Sequence, residues 1–414
     1  MFDSATLSAI RDRFAHVAAC PITGPRVFFE NAGGALTLKS VVDTTATFAA
    51  IPDNQGRANP ASAHLVQVIA KARDDVKLLL NAPGGQVIVG ESGTEMLYRM
   101  IRSACMATTA GPVIGSTLEH PASRSAARLW ADRSGREYIA VAHDDATGTV
   151  TADHYRPHLR PDLAVATIIH TSPVTGMGVD VAGIAAAIRE TAPRCLIIVD
   201  GIQHAAHGGI DLAAAGVDGY AISPYKMFSR HGYGVAWISD RLAALPHEAL
   251  VGGPAENWEL GTRDTGAYAT LSDVVAYLDW LGAQVSDETA PRARLEAAAG
   301  AIHAHEHALC DAMLHGTGNH AGLTTLPGVQ IVGGADNPAR EGLVSFWIEG
   351  AASADIVAGL EARGVRVHIR KADHYSGNIL DPLCQSDCVR VSLAHYNSLD
   401  EVAQFLDAMQ DIAP

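Results

Sequence analysis

The sequence predicts an α/β protein: a mostly parallel sheet covered on both faces by helices, followed by a smaller α+β domain. Three observations predict it. Between about residues 60 and 250, short apolar runs alternate with helical spacing, the pattern of strands joined by helical crossovers. After about residue 275 the texture changes to a long Ala-rich helix followed by irregularly mixed strands and helices. The chain has 414 residues, 48% of them hydrophobic and 18% charged, which is too long for one core and suited to two closely packed ones.

In chain order, Met1 to Ala15 reads as a short amphipathic helix, with Ser4 as its cap and Leu7, Ile10 and Phe14 on one face. It lacks a basic start leading to an apolar stretch and a small-residue cleavage site, so export is not expected. Gln86 to Gly90, Val113 to Gly115, Val165 to His170, Leu196 to Asp200, Gly219 to Ser223 and Gly232 to Ser239 read as strands, and Val181 to Ala192 as a helix between the third and fourth. Their continuous apolar character fits strands buried on both faces, which puts functional residues at their carboxyl ends. The second domain is expected to hold helix Arg292 to Leu314, strands Val329 to Val332 and Leu343 to Glu349, and helix Ser353 to Arg363 with Ser353 as its cap. Strands Val365 to Ile369 and Val389 to Leu393 and helix Leu399 to Ile412 complete it. The expected divisions are a helical segment 1–20, a large domain 21–275 and a small domain 276–414.

The formal net charge of −15 argues against nucleic acid and anionic membranes as partners, since both require a basic surface. No stretch approaches the roughly 20 apolar residues that span a bilayer. Six scattered cysteines fit a reducing compartment, and the cytoplasm is the expected location.

Lysine is scarce. Between Lys77 and Lys371 the only one is Lys226, in Ala221-Ile-Ser-Pro-Tyr-Lys-Met-Phe-Ser, directly after an apolar run and before Arg230-His-Gly-Tyr-Gly. An amine at a strand's carboxyl end among aromatic neighbours is desolvated, which lowers its pKa and frees it for Schiff-base chemistry. A loop-edge surface lysine is the plainer alternative. Twenty-six positions upstream, Leu196-Ile-Ile-Val-Asp-Gly-Ile-Gln-His ends a buried strand in Asp200. A carboxylate there is costly unless a cation meets it, and a protonated pyridine nitrogen is such a cation. Glu91-Ser92-Gly93-Thr94-Glu95 follows a strand and opens a helix, a geometry whose N–H groups suit a phosphate.

With these residues in place, the chain resembles the class V aminotransferases of fold type I, the group that includes the cysteine desulfurases. Within it the likeness is to the branch labelled isopenicillin N epimerase-like or cysteine desulfurase-like, from about Phe28 to the C-terminus. The resemblance implies a seven-stranded type of sheet and pyridoxal 5'-phosphate held as a Schiff base on Lys226. It implies that Asp200 pairs with the ring nitrogen and Gln203 reaches the 3-hydroxyl. His120, in Leu118-Glu-His-Pro-Ala-Ser, would stack on the ring, although alone it would read as a helix-start histidine. Ser92, Gly93 and Thr94 would hold the phosphate with Ser223 and Tyr225, where the family more often has histidine at the Tyr225 position. Trp258-Glu-Leu-Gly-Thr-Arg-Asp-Thr265 resembles a loop whose last threonine reaches the neighbouring subunit's phosphate, implying a homodimer with shared sites. Asn31, in Phe29-Glu-Asn-Ala-Gly-Gly, would line the substrate side, and Arg390, in Cys388-Val-Arg-Val-Ser-Leu, would grip the substrate carboxylate.

Two departures stand out. The stretch 368–378, His-Ile-Arg-Lys-Ala-Asp-His-Tyr-Ser-Gly-Asn, lacks the desulfurases' nucleophilic cysteine, and Pro173 replaces an asparagine that helps hold the 3-hydroxyl. Cys384 and Cys388 read as structural and His303/His307 as a solvated helix face rather than a metal site. His204 and His207 are left without a role. The expected activity is on the Cα of an amino acid, with transamination first, cysteine-independent β-elimination or C–S cleavage second, epimerisation third, and a non-catalytic scaffold last. Arg263, Arg370 and His374 are candidates for a second anionic group on the substrate.

Overall fold

The computed structural model describes residues 1–108 and 111–413. Its centre is one sheet of seven strands, β1 (Gln86–Gly90), β2 (Val113–Ser116), β3 (Tyr138–Val141), β4 (Val165–Ile169), β5 (Leu196–Asp200), β6 (Gly219–Ile222) and β7 (Gly234–Ile238). Their order is β1-β7-β6-β5-β4-β2-β3, and only β7 runs antiparallel to its neighbours. Every residue of β4, β5 and β7 is buried, as expected of strands covered on both faces. The sequence reading missed β3. It is one of the two edge strands, and unlike β1 at the other edge it is buried only at Val141, so its apolar run is too short and broken to stand out.

Helices α1 (Ser4–Arg11), α2 (Lys39–Ala49), α3 (Pro60–Leu80), α4 (Gly93–Ala107), α5 (Pro121–Arg133), α6 (Val181–Thr191) and α7 (Thr265–Val285) accompany the sheet. The first is capped by Asp3, whose carboxylate accepts from Thr6 N–H, and not by Ser4. Helix α8 (Pro291–His315) joins the two cores: Leu295, Ala298 and Ile302 pack into the first, and Leu309, Met313 and Leu314 into the second.

The second core is built on a four-stranded antiparallel sheet of β8 (Val329–Ile331), β9 (Leu343–Ile348), β10 (His368–Lys371) and β11 (Asp387–Ser392), in the order β8-β9-β11-β10. Helices α9 (Ser353–Glu361) and α10 (Leu399–Ile412) cover it. Ser353 is the first residue of α9 and is buried, with Ala352 as the cap and no side-chain hydrogen bond, so its expected capping role is corrected. The run expected as one strand from Val365 to Ile369 divides in two. Val365–Arg366 pairs with Val27–Phe28, and the chain then crosses to begin β10 at His368. Through that pairing the segment before Asn31 is stitched to the second core, with Val27 and Phe29 buried in it. Among the described residues no helix is long and apolar enough to cross a membrane.

Candidate active site

Asp200 is the last residue of β5, and Lys226 follows β6 after a single tight turn. Pro224 fixes φ at the start of that turn, and Lys226 N–H donates to Ser223 O at 2.9 Å, so the backbone itself aims the amine. Two residues on, Phe228 has φ +72° although it is not glycine. That conformation costs on the order of 1–3 kcal/mol. Packing holds it: the Phe228 ring meets Phe14 at 5.5 Å and His395 at 4.7 Å, edge to face.

These residues open onto a cleft of about 380 Å³ lined by Thr94, His120, Asp200, Gln203, Ser223, Tyr225 and Lys226, with Ile169, Thr171, Pro173 and Ile202. All lie at or beyond the carboxyl ends of parallel strands. Lys226 Nζ donates to Gln203 Oε1 at 3.1 Å. Burial lowers the amine's pKa to about 7, helped by Arg390 and Arg370 and opposed by Asp200. Near neutrality a large share of it is therefore the free, nucleophilic amine. Burial raises Asp200 to about 6, against the pull of Ile202 N–H and Lys226. Among the described residues Asp200 makes no ion pair; its carboxylate accepts from Ile202 N–H at 3.1 Å.

His120 caps α5, its Nδ1 accepting from Ala122 N–H at 3.2 Å, which leaves Nε2 as the protonated atom. Burial, then Lys226, Arg370 and Arg124, hold its pKa down to about 3, so the ring is neutral. Beneath it the buried Glu119 carboxylate accepts from Ile169 N–H at 2.8 Å and from Ser123, and burial raises its pKa to about 7.

At the other end of the cleft, Ser92 caps α4 by accepting from Glu95 N–H, and the first-turn N–H groups of Gly93 and Thr94 belong to the helix's positive end. The approach is too close for a side chain: a Cβ on Gly93 would lie 2.4 Å from Ser223 Oγ, and one on Gly234 would lie 2.2 Å from Gly93 N. Tyr225 stacks on His231 with ring centres 4.3 Å apart.

Arg390 enters from β11. It is buried, donates to Pro173 O at 3.0 Å, and leaves Nε without a partner among the described residues. Burial and Arg370 lower its pKa to about 9. Because His368 pairs with Arg390 across the strands and Arg370 lies two residues further on, both arginines project from one face of the sheet. Among the described residues neither forms an ion pair, and Arg370 Nε donates to Ser376 Oγ at 2.9 Å. Of the other candidates for a second anion, Arg263 is paired with Glu91 at 2.6 Å, and His374 is exposed with its carbonyl accepting from Arg124.

The structure does not gather every expected residue. Thr265 starts α7 in a separate depression with Phe48, Asp53 and Arg263. The Asn31 amide is engaged internally, donating to Ser392 O at 2.8 Å and accepting from Tyr396. Its neighbours Gly33 and Gly34 are the ones that border the site: a Cβ on each would lie 3.8 Å from an Arg390 nitrogen and 3.4 Å from the Tyr225 ring.

Behind the cleft is a polar layer that the sequence reading did not find. His204 stacks on His170 at 3.5 Å and donates from Nδ1 to Glu341 at 2.7 Å, and Thr171 donates to the same carboxylate at 2.7 Å. His207 donates from Nδ1 to Glu306 at 2.7 Å. The four-residue spacing of Gln203 and His207 was one available signal, and Glu306 stood within the histidine-rich stretch of α8. His303 and His307 of that stretch are exposed, while His305 and Glu306 face inward.

A carboxylate buried at a strand end without a counter-cation, a free amine beyond the next strand and a helix terminus too crowded for a Cβ fit the nitrogen, the aldehyde and the phosphate of one cofactor. The chain is a pyridoxal 5'-phosphate-dependent enzyme of fold type I. It belongs to the aminotransferase class-V family, which matches residues 27–405. It is 27% identical to a probable cysteine desulfurase of Xylella fastidiosa over 93% of this chain and 90% of that one. A cysteine desulfurase-like protein, ustD, of Aspergillus flavus is 26% identical over 94% of this chain and 88% of its own length. Among solved structures, the apo cysteine desulfurase of Thermococcus onnurineus superposes with a TM-score of 0.80 at 20% identity, covering 94% of each chain. The cysteine desulfurase CsdA of Escherichia coli gives 0.78 at 22% identity, covering 100% of this chain and 98% of that one.

Proposed function

We propose that the protein acts on the Cα of an amino acid whose carboxylate is held by Arg390, with Lys226 moving the Cα proton, and that the outcome is transamination. The observation that carries this reading is the Lys226 amine, lowered to about 7 by burial in a cleft that no thiol lines. Bound pyridoxal phosphate supplies the electron sink that makes the Cα proton acidic. Asp200 then holds the ring nitrogen, His120 lies against the ring, and Gly93, Thr94, Ser223 and Tyr225 hold the phosphate. Transamination needs only one base that can reach both carbons concerned, and Lys226 is that base. Persulfide formation needs a cysteine, and Cys384, the exposed one, lies outside the cleft residues. Epimerisation needs an acid on the far side, where His120 is neutral and a weak donor.

Arg370, on the same sheet face as Arg390 and close enough to lower the pKa of Lys226 and His120, gives an anionic side chain a partner that Arg263 and His374 do not offer, and amino acids with a side-chain carboxylate or sulfinate are the expected substrates. Single amino acids offered to the yellow holoenzyme are expected to bleach it and yield the matching keto acid, with acidic ones best. Arg370→Leu is expected to raise KM for these by about 1.5–3 kcal/mol, of order 10–100-fold, and to change KM for neutral amino acids far less, any shift they share reporting the loss of Arg370's charge beside Lys226 and Arg390. Release of sulfide with pyruvate and ammonia from cysteine, or of sulfite with alanine from cysteine sulfinate, and no keto acid matching the substrate, would instead select the β-elimination or C–S cleavage reading. That second reading is supported by the names of the relatives.

Thr265 belongs, on this proposal, to the partner's phosphate site in a homodimer. Inactive Lys226→Ala and weakened Thr265→Val chains, mixed and allowed to exchange subunits, are expected to regain activity, because one of the two sites in the mixed dimer then has both residues. No gain on mixing, under conditions where exchange is demonstrated, would contradict sharing.

A further inference from the structure

Gln203 is held from behind by a buried line of groups. Its Nε2 donates to His207 Nε2 at 3.0 Å, and His207 Nδ1 donates to Glu306 Oε2 at 2.7 Å. Gln203, His207 and Glu306 are all nearly inaccessible to solvent. The backbone packs closely against this pair: a Cβ on Gly342 would lie 2.7 Å from Glu306 Oε2 and 3.1 Å from His207 Nδ1. Gly342 has no positive φ, so it is the pair itself that excludes a side chain.

A glutamine amide has one donating end and one accepting end. The carboxylate facing Nδ1 fixes a proton there, which leaves Nε2 as the one ring atom whose protonation can change. When Nε2 is bare it accepts from the Gln203 amide, and Oε1 faces the cleft, as it does toward Lys226. When Nε2 carries a proton it donates to Oε1, and the amide N–H2 faces the cleft. We infer that His207 is a positioning residue whose Nε2 proton, taken from solvent, decides which end of Gln203 is presented to the cofactor. The inference rests on the reading of Gln203 as the contact to the cofactor's ring oxygen. That oxygen, when ionised, needs a donor, so wherever His207 is neutral in the empty site, loading the cofactor takes up one proton at His207 and turns the amide over. With Pro173 standing beside the site, which has no N–H to offer, Gln203 carries this contact with less help.

The groups facing His207 work in opposite directions. Burial and Lys226 disfavour its proton, while Glu306 from α8 and Glu341 before β9 favour it more strongly, so its pKa is raised. His395, packed from beyond β11, is held neutral by burial, His305 and His207.

The test compares dissociation of pyridoxal phosphate from wild-type, Glu306→Gln and His207→Asn holoenzymes from about pH 5.5 to about pH 9. Lys226 also titrates in this range, but it is common to all three, so its own contribution largely divides out of the ratios and what is left depends on His207. Removing the Glu306 charge lowers the His207 pKa, so the Glu306→Gln to wild-type ratio of Kd is expected near one at the acid end. It should then rise by up to about tenfold per pH unit, and level off once His207 has lost its proton in both. His207→Asn is expected to lack the titration altogether, so its ratio to wild type changes with pH as well. A ratio that stays constant across the range for both variants, with borohydride still placing the cofactor on Lys226, would overturn the role of His207 and leave the site reading intact. Absence of the label from Lys226 in the wild type would overturn both.

Discussion

Lys226→Ala is expected to lower turnover by at least about 10⁴-fold, because one residue supplies both the covalent anchor and the proton-moving base, and the base alone is worth about 10²–10⁴-fold. The variant should also lose the visible band of the loaded enzyme while keeping its fold. The turn that carries residue 226 is set by Pro224 and by the hydrogen bond from its own N–H to Ser223 O, neither of which involves the side chain. Stability provides a further signature. The folded-state pKa of Lys226, about 7, lies below its ordinary value of 10.5, so between those values the unfolded chain binds more protons than the folded one. Stability of the cofactor-free protein should therefore rise with pH across that window, through relief of a penalty that is fully present at lower pH. Removing the amine should flatten that rise, and thermal unfolding of the two apoproteins across the window measures it. Normal activity in Lys226→Ala would end the account.

Asp200→Ala is expected to cost cofactor affinity and rate together. Once the ring nitrogen is seated, the aspartate and the ring form a buried charge pair, and removing one member of such a pair costs about 3–5 kcal/mol, of order 10²–10⁴-fold. The raised pKa of Asp200, about 6, marks an anion awaiting a cation: burial penalises its charge, and in the absence of a ring only Ile202 N–H and Lys226 oppose that penalty. Asp200→Asn keeps the shape without the charge. It should retain more cofactor than Asp200→Ala yet lose most of the rate, since an amide does not hold the ring nitrogen protonated. Cofactor content by absorbance, measured beside kcat, separates the two effects, and equal rates in Asp200→Asn and wild type would contradict the role given to the carboxylate.

The large sheet was legible because strands buried on both faces are nearly continuous runs of apolar residues, as at Val165–Ile169 and Leu196–Asp200. The edge strand Tyr138–Val141 was not, since partial exposure removes that signal. Asp200 and Lys226 could be found because each breaks a local rule, a charge ending a buried strand and a lone lysine in an apolar setting. The long-range polar layer was hidden. His207 finds Glu306 across 99 residues and His204 finds Glu341 across 137, and no local pattern encodes such pairings. The Val365–Ile369 run failed for a related reason: each of its halves is a passable strand, and only the presence of Val27–Phe28 as a second neighbour divides them. Arg370 was one of three arginine and histidine candidates on sequence alone, and its companions are distinguished by Glu91, which occupies Arg263, and by the exposure of His374.

The central claim, that Lys226 is the residue that carries the cofactor, is tested most directly by borohydride reduction of the purified yellow protein followed by peptide mass mapping. A reduced phosphopyridoxyl group on the peptide containing Ser223, Pro224, Tyr225 and Lys226, placed on Lys226 by fragmentation, is the predicted result. The same mass on Lys39, Lys71, Lys77 or Lys371, or on no lysine at all, would contradict it.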